Sequence, residues 1–160
     1  MKSTYKYLAY GIAGLVVVQA GMIAWGFFGV SDWITNENGV VNKEYLEAEG
    51  GEMEFFAEWA FAFHMFFLGT LLIPLVSLVT LVVSFFSKIP GAPKWAGGIF
   101  GLVVLQVFVI PALAREIDPI FGALHGINAL VLFAVAYLAG RRASASEARG
   151  IAETGTPVPA

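Results

Sequence analysis

The sequence predicts an all-α membrane protein, a polytopic up-down bundle of four transmembrane helices with both termini in the cytoplasm. Three observations predict this fold class. Of the 160 residues, 58% are hydrophobic and only 13% are charged, a composition that soluble domains do not tolerate. Four apolar stretches each reach the roughly 20 residues that a helix needs to cross a hydrocarbon core. The basic residues collect on one side of the resulting layout.

The four predicted helices cover residues 8–29, 55–86, 95–114 and 119–140, and the apolar part of the second begins at Trp59. The apolar run of the first is longer than that of a signal peptide, so we expect it to remain as a helix. A tight connection at residues 87–94 makes the second and third helices antiparallel neighbours. Residues 115–118 leave the third and fourth helices adjacent, as in an up-down bundle.

Charge predicts the orientation of the bundle. Seven basic residues lie at the ends assigned to the cytoplasm, and only Lys43 and Arg115 lie at the other side. Ten of the twelve acidic residues lie on that outer side, most of them in the loop 30–53. We therefore expect a multi-pass protein of the cell inner (plasma) membrane, with residues 1–142 as the transmembrane domain and an acidic outer loop at residues 30–53.

Two further segments carry predictions of their own. Residues 42–49 of the outer loop are expected to form a short amphipathic helical turn. Residues 143–160 are rich in Ala, Ser, Gly, Thr and Pro and predict a disordered cytoplasmic tail. We find no internal repeat in the sequence beyond the count of helices.

Composition also excludes several functions. The chain has no cysteine, which excludes disulfides, thiolate-bound iron–sulfur clusters and thiol nucleophiles. A net charge of -3 leaves no basic surface, so no nucleic-acid partner is expected. The expected partners are the lipid bilayer and either a membrane redox partner or a larger membrane complex.

The chain has only two histidines, and both lie within predicted transmembrane helices. His64 in the second helix and His125 in the fourth lie roughly 8 and 9 Å below the outer boundary at 1.5 Å per residue. Ionisable groups at membrane depth are costly, and they therefore indicate function. Two imidazoles converging at one depth are what a bis-histidine haem requires, because the iron takes one nitrogen from each side of the porphyrin. The sequence predicts haem b with His64 and His125 as the metal ligands.

Small and polar residues around the histidines extend this predicted site. Glycines would let a flat ring approach the helix backbones, a cation would bind a propionate, and side-chain amides would orient an imidazole or bond a propionate. The structural alternative is that the same residues serve only close packing and interhelical hydrogen bonds. The residues in question are Gly122, Gly126, Arg115, Asn128 and Gln106, with Gln19, Gly14, Gly21 and Gly26 on the first helix.

One histidine on the second helix and one on the fourth, both near the outer side, resemble one four-helix half of the haem A synthase family. In that family each half-bundle holds a haem-type porphyrin between two such histidines, which implies the same arrangement here. The second helix there carries Glu-x-x-His-Arg. This chain instead has Glu58 six residues before His64, and Met65 after it.

The chain also resembles a group of small, uncharacterised four-helix bacterial and archaeal membrane proteins. Their shared features are a histidine early in the second helix, Leu-Gln in the third and Leu-His-x-x-Asn-Ala in the fourth. Here these are His64, Leu105-Gln106 and the segment 124–129. This resemblance covers residues 8–142 and implies a fold without an established activity.

Three hypotheses of function follow. The first is a b-type haem protein that relays electrons or carries haem. The second is an accessory or assembly subunit of a larger membrane complex, without a cofactor, in which the acidic loop docks a partner. The third is a metal-handling enzyme or transporter in which Glu58, Glu54 or Met65 joins the histidines around an ion.

Overall fold

The computed structural model describes residues 1–47 and 53–154, and every regular element in these ranges is helical. The long helices are α1 (Lys2–Asn36), α3 (Glu58–Phe86), α4 (Ala92–Glu116) and α5 (Gly122–Thr154). A short α2 spans Lys43–Glu47, and a 3-10 turn at Pro119–Phe121 precedes α5. All four long helices have the length and hydropathy to cross a membrane. The prediction of an all-helical chain with four membrane-length helices is confirmed.

The four long helices form a ring in which each helix packs on two neighbours. Helix α1 packs on α3 and α5, and α4 packs on the same two helices. Helices α3 and α5 therefore stand diagonally across the bundle. This placement matters because α3 carries His64 and α5 carries His125.

The half of the bundle next to the termini, here called the closed half, contains the main core. Small residues at spacings of three and four dominate this core and let the helices approach closely. Serine and threonine hydroxyls buried on α3 bond back to carbonyls of their own helix, as in Thr80 to Val76 at 2.7 Å. The principal core residues are Ala9, Ile12, Ala13 and Val16 of α1, Ile73 of α3, Ala92, Ala96, Ile99 and Val103 of α4, and Leu132, Ala136, Ala139 and Ala143 of α5.

The other half, here called the open half, separates into two helix pairs. The first part of α3, Glu58–Leu72, packs on α1, and the last part of α4, Leu105–Glu116, packs on α5. Between these two parts of α3 and α4, the described residues form no packed interface. The bundle is therefore tightly closed at the termini and divided at the level of the histidines.

Two stretches of the open half are wound as π-helix, Phe63–Leu72 in α3 and Leu105–Val109 in α4. Each stretch ends two residues before a proline, Pro74 or Pro111. Proline lacks an N–H, and its ring clashes with the carbonyl four residues earlier, so a wider turn before it relieves the clash. The π-helical turn in α3 contains His64, and the one in α4 contains Gln106.

The helix ends differ from the sequence expectation in two places. Helix α1 continues to Asn36 and takes up the first part of the predicted outer loop, whose expected helical turn appears as α2. Helix α5 continues to Thr154 through most of the segment expected to be a disordered tail. Alanine favours helix, Ala143 is fully buried, and Glu147 pairs with Lys6 at 2.6 Å, which explains the extension. Residues 48–52 and 155–160 lie outside the described part of the chain.

Candidate functional site

The two histidines face each other across the open half of the bundle. The centres of their imidazole rings are 6.1 Å apart, and the ring planes make an angle of 50°. Both side chains are partly buried. Because α3 and α5 are diagonal partners, the two rings approach from opposite sides of the same space.

His64 is held to α1 at two points, both on Gln19. Its Nδ1 atom lies 3.2 Å from the main-chain oxygen of Gln19, and the Gln19 Nε2 atom donates to the main-chain oxygen of His64 at 3.1 Å. A carbonyl oxygen can only accept, so the hydrogen of this first bond belongs to Nδ1. Neutral His64 then has its free lone pair on Nε2, the ring nitrogen that can bind a metal.

Gly69 makes room for this contact between α1 and α3. A methyl group at this position would lie 2.5 Å from the main-chain oxygen of His64 and 3.2 Å from Nε2 of Gln19. Gly69 follows His64 by five residues, which is the hydrogen-bonding interval of a π-helix. The α-helical intervals of three and four, by which neighbours on one helix face are predicted, do not point to Gly69.

His125 is held to α4 in a corresponding way. Gln106 donates from Nε2 to the main-chain oxygen of His125 at 3.0 Å. Asn128, which is nearly buried, donates to the side-chain oxygen of Gln106 at 2.6 Å and to the main-chain oxygen of Leu102 at 3.0 Å. Both amides predicted for this side of the site, Gln106 and Asn128, thus form hydrogen bonds between helices α4 and α5.

The two glutamine–histidine contacts form a structural repeat. Residues 14–19 read Gly-Leu-Val-Val-Val-Gln, and residues 101–106 read Gly-Leu-Val-Val-Leu-Gln. Each segment lies on the first helix of a pair. Its glutamine donates a hydrogen bond to the main-chain oxygen of the histidine on the second helix. The sequence analysis found no internal repeat. The correspondence becomes visible once the structure pairs α1 with α3 and α4 with α5.

The repeat is incomplete at Gln19. Its side-chain oxygen is buried and has no hydrogen-bond partner among residues 1–47 and 53–154. In the second pair Asn128 supplies the donor to Gln106, whereas the residue three positions after His64 is Phe67, which has none. The side chain of Gln19 therefore contributes to this contact through its amide nitrogen alone.

The glycines predicted to give clearance fall into two groups. A methyl group added to Gly122 or Gly126 would meet no atom within 4 Å, and the same holds for Gly14 and Gly21. Gly26 differs, because the ring of Phe61 lies 2.8 Å from the position of an added methyl group. Gly26 therefore serves close packing of α1 against α3.

The charged residues considered for the site make other contacts. Arg115 is exposed and pairs with its neighbour Glu116 at 2.8 Å. Glu58 accepts hydrogen bonds from the hydroxyl of Tyr45 at 3.3 Å and from the main-chain nitrogen of Glu54 at 2.9 Å. Among the described residues, no group of three or more His, Asp or Glu side chains could hold a metal ion. The described residues thus contain no ligand set of the kind that the third hypothesis, a metal-handling protein, requires.

A small aromatic cluster covers the loop end of α1. The Trp33 ring stacks on Phe55 at 5.2 Å between ring centres and packs against Tyr45 at 5.4 Å. Gly39 lies directly against the Trp33 ring, where no side chain would fit. Burial raises the pKa of the Tyr45 hydroxyl above its usual value, and the nearby carboxylate of Glu58 raises it further.

Comparisons of this chain with protein-family models, curated proteins and solved structures found no match. The resemblances to half of a haem A synthase and to the small four-helix membrane proteins therefore remain predictions.

Proposed function

We propose that this protein is an integral membrane b-type haem protein in which His64 and His125 are the two axial ligands. Electron relay or haem handling at the plasma membrane is the role that such a site would serve. The observation that carries the proposal is the separation of 6.1 Å between the two imidazole centres.

That separation fits two imidazoles on one metal. With metal–nitrogen bonds of about 2 Å, and ring nitrogens about 1.1 Å from the ring centre, two coaxial imidazoles have centres about 6 Å apart. Ligands on one axis can rotate about it, so the angle of 50° between the rings is compatible with shared coordination.

The hydrogen bond of His64 supports the same proposal. The Nδ1–H group donates to the Gln19 main chain, so the lone pair of the neutral ring is on Nε2. Ligating histidines commonly donate their second ring N–H in this way, and the bond fixes the ring and raises its basicity. In this tautomer His64 presents Nε2 as the nitrogen that a metal would bind.

The free space beside His125 also fits a planar group. Gly122 and Gly126 flank this histidine on α5, and neither has a neighbour within 4 Å of an added methyl group. The open half leaves Glu58–Leu72 of α3 apart from Leu105–Glu116 of α4. When bound, haem would supply one-electron exchange, while the protein would provide two neutral nitrogen ligands and an apolar surrounding.

An absorption spectrum of the detergent-solubilised protein, produced under haem-replete conditions, tests the proposal. We expect a Soret band that sharpens on reduction with dithionite, and we expect H64A or H125A to remove the low-spin spectrum. Met65→Leu is the matched control, because Met65 is exposed beside His64 on the same helix. A colourless wild-type protein would contradict the proposal and favour the cofactor-free subunit. A low-spin spectrum that survives in both histidine variants would contradict the assignment of His64 and His125 as the ligands.

A further inference from the structure

We propose that Gln19 and Gln106 are positioning residues that set the orientation of the two histidine ligands. This inference rests on the proposed haem site. The sequence allowed these two amides either to orient an imidazole or to bond a propionate, and the inference assigns them the first role.

The direction of the amides decides between those tasks. Each Nε2 group points at the main-chain oxygen of a histidine on the next helix, at 3.1 Å for Gln19 and 3.0 Å for Gln106. The oxygen of Gln106 accepts from Asn128, which fixes the direction of this amide. In this arrangement both amides act on the protein backbone at the histidines.

The two contacts of Gln19 act on opposite ends of the same residue. The main-chain oxygen of Gln19 accepts a hydrogen bond from the His64 ring. The side-chain amide of Gln19 donates a hydrogen bond to the main-chain oxygen of His64. The pair therefore fixes both the place of His64 along α1 and the direction of its ring. Because Nδ1 is engaged on the α1 side, Nε2 is directed away from Gln19, and the ring as a whole faces His125.

Gln19 is the better of the two residues for a test. Gln106 also binds Asn128, so its replacement would leave a second amide without its partner. The Gln19 oxygen has no partner in the described structure, and Gln19→Met removes a single side-chain hydrogen bond at nearly constant length. Gly69→Ala disturbs the same contact from α3 without altering Gln19.

The first experiment uses the haem-free protein, labelled with 15N at histidine. With only two histidines in the chain, H125A assigns the ring signals. We expect the shifts of wild-type His64 to report the proton on Nδ1, and we expect Gln19→Met and Gly69→Ala to give a mixture of tautomers. Thr70→Val is the control, because this hydroxyl bonds only to Met65 of its own helix. Unchanged His64 signals in both test variants would overturn the inference.

The second experiment measures haem retention and midpoint potential in the same variants. Loss of a residue that orients a metal ligand typically weakens binding by about 10- to 100-fold. We expect a loss of this size and a shifted potential for Gln19→Met and Gly69→Ala, with Gly97→Ala as the glycine control because an added methyl group there meets nothing. Wild-type retention and potential in both variants would contradict the role of Gln19. If the wild type binds no haem, the proposed function fails, and the 15N experiment still decides whether Gln19 positions His64.

Discussion

Asn128 donates to the side-chain oxygen of Gln106 at 2.6 Å and joins α5 to α4 one turn away from His125. Its second hydrogen bond reaches the main chain of Leu102 at 3.0 Å. Only 9% of Asn128 is exposed, so solvent competes little for the groups that form these two hydrogen bonds. This amide therefore links the second helix pair beside the candidate site.

Replacement of Asn128 by leucine is expected to destabilise the bundle. Hydrogen bonds between membrane helices contribute about 0.6 kcal/mol on average, and the unpaired oxygen of Gln106 adds a further cost, so we expect a total of about 1–2 kcal/mol. Unfolding in mixed detergent micelles measures this difference. Thr70→Val, which removes a hydrogen bond within a single helix, should have a smaller effect. Equal stability of the Asn128 variant and the wild type would contradict the linking role.

Gly29→Ala is expected to destabilise the packing of α1 against the segment that precedes α3. An added methyl group on Gly29 would overlap the Cβ atom of Ala57 and approach the Phe55 ring at 3.4 Å. Overpacking of this kind typically costs about 1–3 kcal/mol. Gly11→Ala on the same helix is the control, since its added methyl group meets nothing within 4 Å. The same unfolding assay should separate the two variants, and equal melting would show that α1 can shift without cost.

The number and order of the long helices follow from the hydropathy of the sequence. Each apolar run forms a helix that is long enough to cross a membrane. The short connections between helices leave little choice of which helices are neighbours. The facing of His64 and His125 was expected from their matched depth, because distance along a helix is a fixed rise per residue. Membrane insertion and the cytoplasmic placement of the termini remain predictions.

Features that depend on tertiary contact were not predictable in this way. The π-helical stretch before Pro74 brings the main-chain oxygen of His64 close to Gly69, five residues later, which the α-helical intervals of three and four do not predict. The packing of Phe61 into Gly26 depends on which helices are neighbours, and composition alone cannot distinguish it from clearance for a ring. The helical extension of α5 brings Glu147 into contact with Lys6 on the neighbouring α1, a pairing that the sequence of the tail does not reveal.

Glu147→Gln is expected to loosen the last turns of α5. Glu147 pairs with Lys6 at 2.6 Å and accepts from the Ser3 hydroxyl at 2.7 Å. Ion pairs near the surface contribute little to stability, so the bundle should stay folded. Faster amide hydrogen exchange confined to residues 143–150 is the expected result. Exchange unchanged in that segment would mean that helix propensity alone holds it.

The aromatic cluster at the loop end is expected to lose stability at high pH. Burial raises the pKa of Tyr45, and Glu58 accepts its hydroxyl hydrogen. A pKa raised on folding means that the stabilisation is complete below the unfolded value of about 10 and is lost as the pH rises through the folded value. Trp33 fluorescence should report this loss, with Trp33→Phe identifying its signal among the four tryptophans. Tyr45→Phe should abolish the pH dependence, and its persistence in that variant would contradict the assignment.

The variants Gly126→Ala and Gly122→Ala test whether these two glycines give space to a ligand or serve packing between helices. In the protein without a ligand, neither added methyl group meets an atom within 4 Å, so the unfolding of the haem-free variants should match that of the wild type. If a planar macrocycle lies beside His125, the same methyl groups would crowd it, and haem retention should fall. Gly97→Ala, which has equal free space in the closed half, should leave both stability and retention unchanged. Full haem retention in both test variants would mean that these glycines face lipid and that the ring approaches His125 from another side.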